Sequence, residues 1–117
     1  MEDVWVQVNE EIAELKEAYL QAPKSDDGRI LREADPEAAH AVELEIGDVL
    51  FSLVNVARKM GVDAEAALRD TCTKFRLRWA FMEGAAAAQG KPIESLSMVQ
   101  LEELWALAKA QEGRHDR

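Results

Sequence analysis

Two carboxylate pairs at the same spacing, Glu11-x-x-Glu14 and Glu45-x-x-Asp48, are the residues of this chain best suited to chemistry. The second pair lies in the run Glu43-Leu-Glu45-Ile-Gly-Asp48-Val-Leu-Phe-Ser-Leu-Val-Asn55, which otherwise reads as a buried helix. At about 100° per residue, Val42, Ile46, Val49, Leu50, Leu53, Val54, Val56, Ala57 and Met60 cover most of its circumference. One narrow polar strip remains, and Glu45, Asp48, Ser52 and Asn55 fall on it. A helix apolar nearly all round belongs in the middle of a bundle, where a bare carboxylate is costly unless protonated, paired or metal-bound. On the earlier helix Glu11 lies beside the Val8–Ile12–Leu15 stripe and Glu14 one step further round, whereas Glu10 and Glu17 point away as solvated acids do. Two such pairs facing each other make an oxygen-rich cage. Ligation by oxygen alone, without Cys or His, is what magnesium prefers. The competing reading pairs Glu45 and Asp48 with Arg58 or with cations of the third helix.

Lys74 and Arg78 stand four apart beside an apolar stripe of Leu68, Thr71, Phe75 and Trp79. Two cations on one face can clamp phosphate oxygens, or can pair with the acidic surface of their own protein. Trp105 and Lys109 repeat the spacing, and a tryptophan there serves a core as readily as a stacking platform. Glu37-x-x-His40 and Glu112-x-x-His115 match the spacing of di-iron bundles, but one sits in a first helical turn and the other at the chain end, which favours exposed histidines. No glycine-rich phosphate loop, nucleophile elbow or Cys–His pairing occurs. A metal-activated water is therefore the natural nucleophile, and no side chain is assigned as the catalytic group.

Four helices must position these residues. Val4, Trp5, Val8, Ile12, Leu15 and Tyr19 recur at helical spacing from Glu2 to Gln21. Pro23 to Asp35, with its Asp-Asp-Gly, is a loop. Asp35-Pro36 opens the second helix, which stops at Gly61. Asp63 opens the third, with Leu68, Thr71, Cys72, Phe75, Trp79 and Met82 on one side, and this helix continues through the alanine run 85–88 to Gly90-Lys-Pro92. Ser97-x-x-Gln100 is a capping box before the fourth, with Leu101, Leu104, Trp105 and Ala108 inward. The expected fold is an all-α four-helix bundle over 1–112, followed by a frayed tail over 113–117.

A chain of 117 residues, 48% hydrophobic with three prolines and six glycines, is one compact domain. Its net charge of −9 argues against a nucleic-acid polymer as partner, although bound metal and local cations still permit a small phosphorylated substrate. One cysteine, Cys72, permits no internal disulfide and fits a reducing cytoplasm. The acidic N-terminus is no signal peptide, and no apolar run reaches membrane length, so a soluble cytoplasmic protein is expected. The second helix is apolar on more sides than one small unit can cover, which predicts a homodimer.

In order along the chain, Val4-Trp5, Val8-x-Glu10-Glu11-Ile-Ala-Glu14-Leu, Glu45-Ile-Gly-Asp48-Val-Leu-Phe-Ser-Leu-Val-Asn-Val-Ala-Arg58, Ala67-Leu-Arg, Lys74-Phe75-x-x-Arg78 and Leu104-Trp105-x-x-x-Lys109 resemble the MazG family. The likeness is nearest to the C-terminal catalytic unit of two-unit bacterial members. It implies a dimeric all-α pyrophosphatase that converts nucleoside triphosphates to monophosphate and pyrophosphate with Mg²⁺. It implies further that Glu11, Glu14, Glu45 and Asp48 are magnesium ligands, that Lys74 and Arg78 contact phosphates, and that Trp105 and Lys109 help to hold the nucleotide. Three positions depart from the pattern. Gln7 stands where a lysine is usual, Ala41 lies near the place of another, and Cys72 replaces an asparagine. Losing two cations beside a polyphosphate favours the alternative of a nucleotide-binding or regulatory module with weak turnover. A third reading is a helical interaction module whose acidic stripe pairs with a partner. Similar proteins carry a further segment before the first acidic helix, so the resemblance implies a piece of a longer protein or a minimal form.

Overall fold

The computed structural model describes residues 1–115, with side chains to Glu112. It contains α1 (Glu2–Gln21), α2 (Pro36–Lys59), α3 (Ala64–Ala88), a 3₁₀ turn η1 (Ile93–Ser95) and α4 (Met98–His115). Among the described residues the only strand-like pairing is an isolated bridge between Lys24 and Ile30. No helix of the described residues is long and apolar enough to cross a membrane. The all-helical reading and the four helix positions agree with the sequence. The tail expected over 113–117 is helical as far as His115 and otherwise lies outside the described residues.

The chain divides into two compact units, Met1–Ala64 and Glu65–Arg117. In the first, α1 and α2 form an antiparallel hairpin, because Val4 and Val8 pack on Val56 at one end with Ile12 beside them. The connecting loop is held by its own hydrogen bonds: Tyr19 donates its hydroxyl to Gly28 O at 2.6 Å, and Leu31 N–H donates to Pro23 O at 2.9 Å. Gly28 has φ +88°, and a Cβ there would sit 2.9 Å from Tyr19 Oη, so no other residue fits this turn without a shift. Lys24 Nζ donates to Tyr19 O and Ala22 O, both at 2.7 Å, adding a side-chain donor to the carbonyls at the end of α1. Asp35 caps α2 by accepting from Ala38 N–H at 3.0 Å, one residue ahead of Pro36.

α2 corrects one expectation. Its buried residues are Ala39, Val42, Ser52 and Val56, while Ile46, Leu50, Leu53, Val54 and Met60 are exposed in the single chain. The side facing α1 thus includes the polar strip, with Glu45 half-buried on it, and the broad apolar side faces away. Small side chains permit the close approach of α1, whereas Leu50, Phe51 and Leu53 would hold it off.

In the second unit, Met82 and Ala86 of α3 pack on Leu104 and Ala108 of α4, with Ile93 closing the turn end. Ala86 is fully buried, so the alanine run is a packing surface as well as a helix former. The side of α3 expected inward is only partly so, because Leu68, Cys72, Phe75 and Trp79 are exposed. Both α2 and α3 end in the same motif. Val62 N–H reaches Ala57 O at 2.8 Å with Gly61 at φ +75°, and Lys91 N–H reaches Ala86 O at 3.1 Å with Gly90 at φ +73°.

Candidate functional site

The acidic cluster is built by the α1–α2 hairpin. Antiparallel packing brings the middle of α1 beside the middle of α2, and one carboxylate oxygen from each of Glu11, Glu14 and Glu45 lies within 4.8 Å of the other two. Asp48, one turn beyond Glu45, is exposed and outside that group, yet its charge still reaches Glu11 and Glu45. Glu11 Oε2 and Glu45 Oε2 are both buried without a hydrogen-bond partner among the described residues. Burial, followed by the charges of Glu14 and Asp48, pushes the Glu11 and Glu45 carboxyls above their ordinary range. Two shielded, unpartnered oxygens among like charges are costly unless a cation or a proton joins them. The donor set is oxygen only, which fits a hard divalent ion and not a thiophilic one.

Beside the cluster, Glu14, Glu17, Ala18, Gln21, Ala38, Ala41 and Glu45 line a cleft of about 330 Å³. Three of its seven lining residues are acidic and none is cationic. Ala41 leaves this wall without the charge a lysine near that place would supply, and Gln7 is exposed. Arg58, weighed above as a partner for the acids, is exposed and makes no ion pair with a described residue.

The cations expected at phosphates belong to the second unit. Lys74 and Arg78 line a cleft of about 600 Å³ together with Leu77, Phe81, Ala108 and Glu112. Arg78 donates from Nε to Glu112 Oε1 at 2.6 Å and from Nη2 to Glu112 Oε2 at 2.9 Å. The pair holds the Glu112 carboxyl below its ordinary range, chiefly through these hydrogen bonds, with Lys74 and Lys109 adding lesser charge effects. Trp105 is half-buried, its ring centroid 5.1 Å from that of Phe75, and Lys109 is exposed. Trp105 therefore serves the packing of this unit, and Arg78 takes the internal pairing that its spacing left open. In the sequence Glu112 stands out only as half of a Glu-x-x-His match. Its partner lies 34 residues away, and no local periodicity points across such a gap. His40, from the other such match, is exposed and stands beside Glu43; the side chain of His115 lies outside those described.

A helical hairpin carrying an all-oxygen carboxylate cluster, joined to a second helical unit carrying clustered cations, is the class defined by fold and site. The profile of the MazG nucleotide pyrophosphohydrolase domain matches residues 2–80, and the chain belongs to the MazG family. It is 38% identical over 108 residues to the nucleoside triphosphate pyrophosphohydrolase/pyrophosphatase MazG of Thermotoga maritima, covering 92% of this chain and 35% of that protein. It is 39% identical over 71 residues to the nucleoside triphosphate pyrophosphohydrolase of Escherichia coli K12, covering 61% of this chain and 27% of that protein. A third relative, the uncharacterized protein YabN of Bacillus subtilis, is 40% identical over 75 residues, which is 64% of this chain and 15% of that protein. The chain thus spans between 15% and 35% of the length of these relatives.

Proposed function

We propose that this chain hydrolyses nucleoside triphosphates to the monophosphate and pyrophosphate, with Mg²⁺ held by Glu11, Glu14, Glu45 and Asp48. The observation that carries the reading is the convergence of Glu11, Glu14 and Glu45, two of them with a buried, unpartnered oxygen, in a member of the MazG family. When bound there, the cation would supply Lewis-acid neutralisation of phosphate charge and lower the pKa of a water at neutral pH. Glu14 and Glu45 also line the adjoining cleft, so without a cation this wall repels a polyphosphate. Lys74 and Arg78 would hold the oxygens of the departing pyrophosphate, and Trp105 and Lys109 would help to retain the nucleotide. Water attacks the α-phosphorus and gives up a proton to solvent, the bond from phosphorus to the bridging oxygen breaks, and that oxygen carries the electron pair away with pyrophosphate.

We further propose a homodimer through the apolar side of α2. A second reading, a nucleotide-binding module with weak turnover, is favoured by Ala41 on the acidic cleft, where no cation lines the wall. Pyrophosphate release from a panel of triphosphates with Mg²⁺ separates the two. Hydrolysis in ¹⁸O-labelled water tests the bond: we expect label in the nucleoside monophosphate. Label in orthophosphate, with diphosphate as the other product, would sink the mechanism.

A further inference from the structure

Glu112 lies beyond the residues matched by the family profile, yet it makes a sheltered ion pair: the Arg78 side chain is 10% exposed and that of Glu112 30%. The contact is side-on, because Nε and Nη2 of Arg78 both donate to the carboxylate. A guanidinium has five N–H groups in a fixed planar fork. Two are used here, so three remain at the Nη1–Nη2 end, and no acceptor among the described residues meets them. Two rings also bear on it: the guanidinium carbon lies 5.3 Å from the Phe75 ring centroid and 4.9 Å from that of Trp105. Arg78, Glu112 and Lys74 all border the cleft of the second unit.

We infer that Glu112 is a positioning residue, holding Arg78 side-on so that the free end of its guanidinium is presented to phosphate oxygens entering this cleft. The inference rests on the proposed contact of Arg78 with phosphate. An unrestrained arginine must give up rotamer freedom when it meets its ligand, whereas a pinned one has done so on folding. Glu112 also cancels one positive charge in a cleft that Asp70 borders as well, leaving Lys74 to attract the anion and Arg78 to orient it. Removing Glu112 therefore has two opposed effects. The cleft gains positive charge, which helps ground-state binding, and Arg78 loses its direction, which harms the step in which leaving-group charge grows.

The test is steady-state turnover of a nucleoside triphosphate with Mg²⁺ by the full chain, Glu112→Ala, Glu112→Asp, Arg78→Ala and the double variant. Glu112→Ala should lower kcat by roughly tenfold or more without raising KM, Glu112→Asp should restore part of the loss, and in the Arg78→Ala background Glu112→Ala should change kcat less than about twofold. Unchanged or raised kcat in Glu112→Ala overturns the inference, as does the same fold-loss with and without Arg78. A separate arm reads the Arg78 Nε–H resonance with magnesium pyrophosphate as probe. The signal should exchange slowly in the wild type, move on addition of the probe, and be absent from Glu112→Ala. Failure of the wild type to turn over any triphosphate would refute the proposed reaction, and the resonance would still decide this inference: no movement on adding the probe overturns it.

Discussion

Glu11 and Glu45 each hold one oxygen away from water and from every hydrogen-bond donor of the described residues. Their carboxyls ionise above the usual range because burial and neighbouring acids disfavour the charged form. A group whose pKa is raised on folding contributes stability below its unfolded pKa, and that contribution is lost as pH rises through the folded value. Glu43 and Glu112 behave in the opposite sense. Arg32 and Arg78 hold them below the usual range, so their contribution is present above the unfolded pKa and is lost as pH falls. In chelator, Glu45→Gln should therefore melt above the wild type at neutral pH, and the gap should close towards about pH 4, near the unperturbed glutamate value. Millimolar Mg²⁺ should raise the melting temperature of the wild type and leave that of Glu45→Gln nearly unchanged. Equal responses of the two proteins in a thermal scan would count against the cation site.

At the scale of elements, helix ends were the most legible part of the sequence, because a cap is a local contract between residues a few positions apart. Asp35, Gly61 and Gly90 do what their types and neighbours predict. So does the capping box, in which Gln100 N–H donates to Ser97 Oγ at 3.2 Å and Ser97 N–H donates to Gln100 Oε1 at 2.9 Å. Ser97→Ala should cost about 1 kcal/mol, read as a lower urea midpoint at unchanged slope, whereas an unchanged midpoint would mean that α4 does not depend on this cap. The three-residue turn Ile93–Ser95 left no periodic trace, being too short to repeat. The inward side of α2 is illegible for a different reason. Counting apolar positions tells which sides of a helix dislike water, not which side a neighbouring helix covers. The hairpin covers the side of Val42, Glu45, Val49, Ser52 and Val56, and the same packing produces the carboxylate cluster. The pairing of Glu11 and Glu14 with Glu45 was thus legible from spacing, but the Arg78–Glu112 pair, set by the register of α3 against α4, was not.

For the molecule as a whole, the exposed side of α2 leaves apolar surface in water: Leu50 is 59% exposed, Phe51 74% and Val54 51%. A contiguous apolar face of this kind marks an association surface, and a self-complementary one gives a two-fold dimer. Sedimentation at micromolar concentration should show a dimer, and Val54→Glu should shift it towards monomer while the far-ultraviolet dichroism stays helical. A monomeric wild type would refute the dimer for this chain. The acidic cleft has one more consequence, and it concerns the encounter that precedes any chemistry. On the proposed function the substrate, a triphosphate carrying its own magnesium, is still an anion and would approach a chain of net charge −9 whose cleft beside the cluster is lined by Glu14, Glu17 and Glu45. The long-range field slows the approach, in contrast to a positively charged cleft that draws such a ligand in. Added monovalent salt shortens the reach of that field to about 8 Å at physiological ionic strength. The second-order rate constant for substrate should therefore rise with moderate salt, until screening of the local cations at the phosphates reverses the trend.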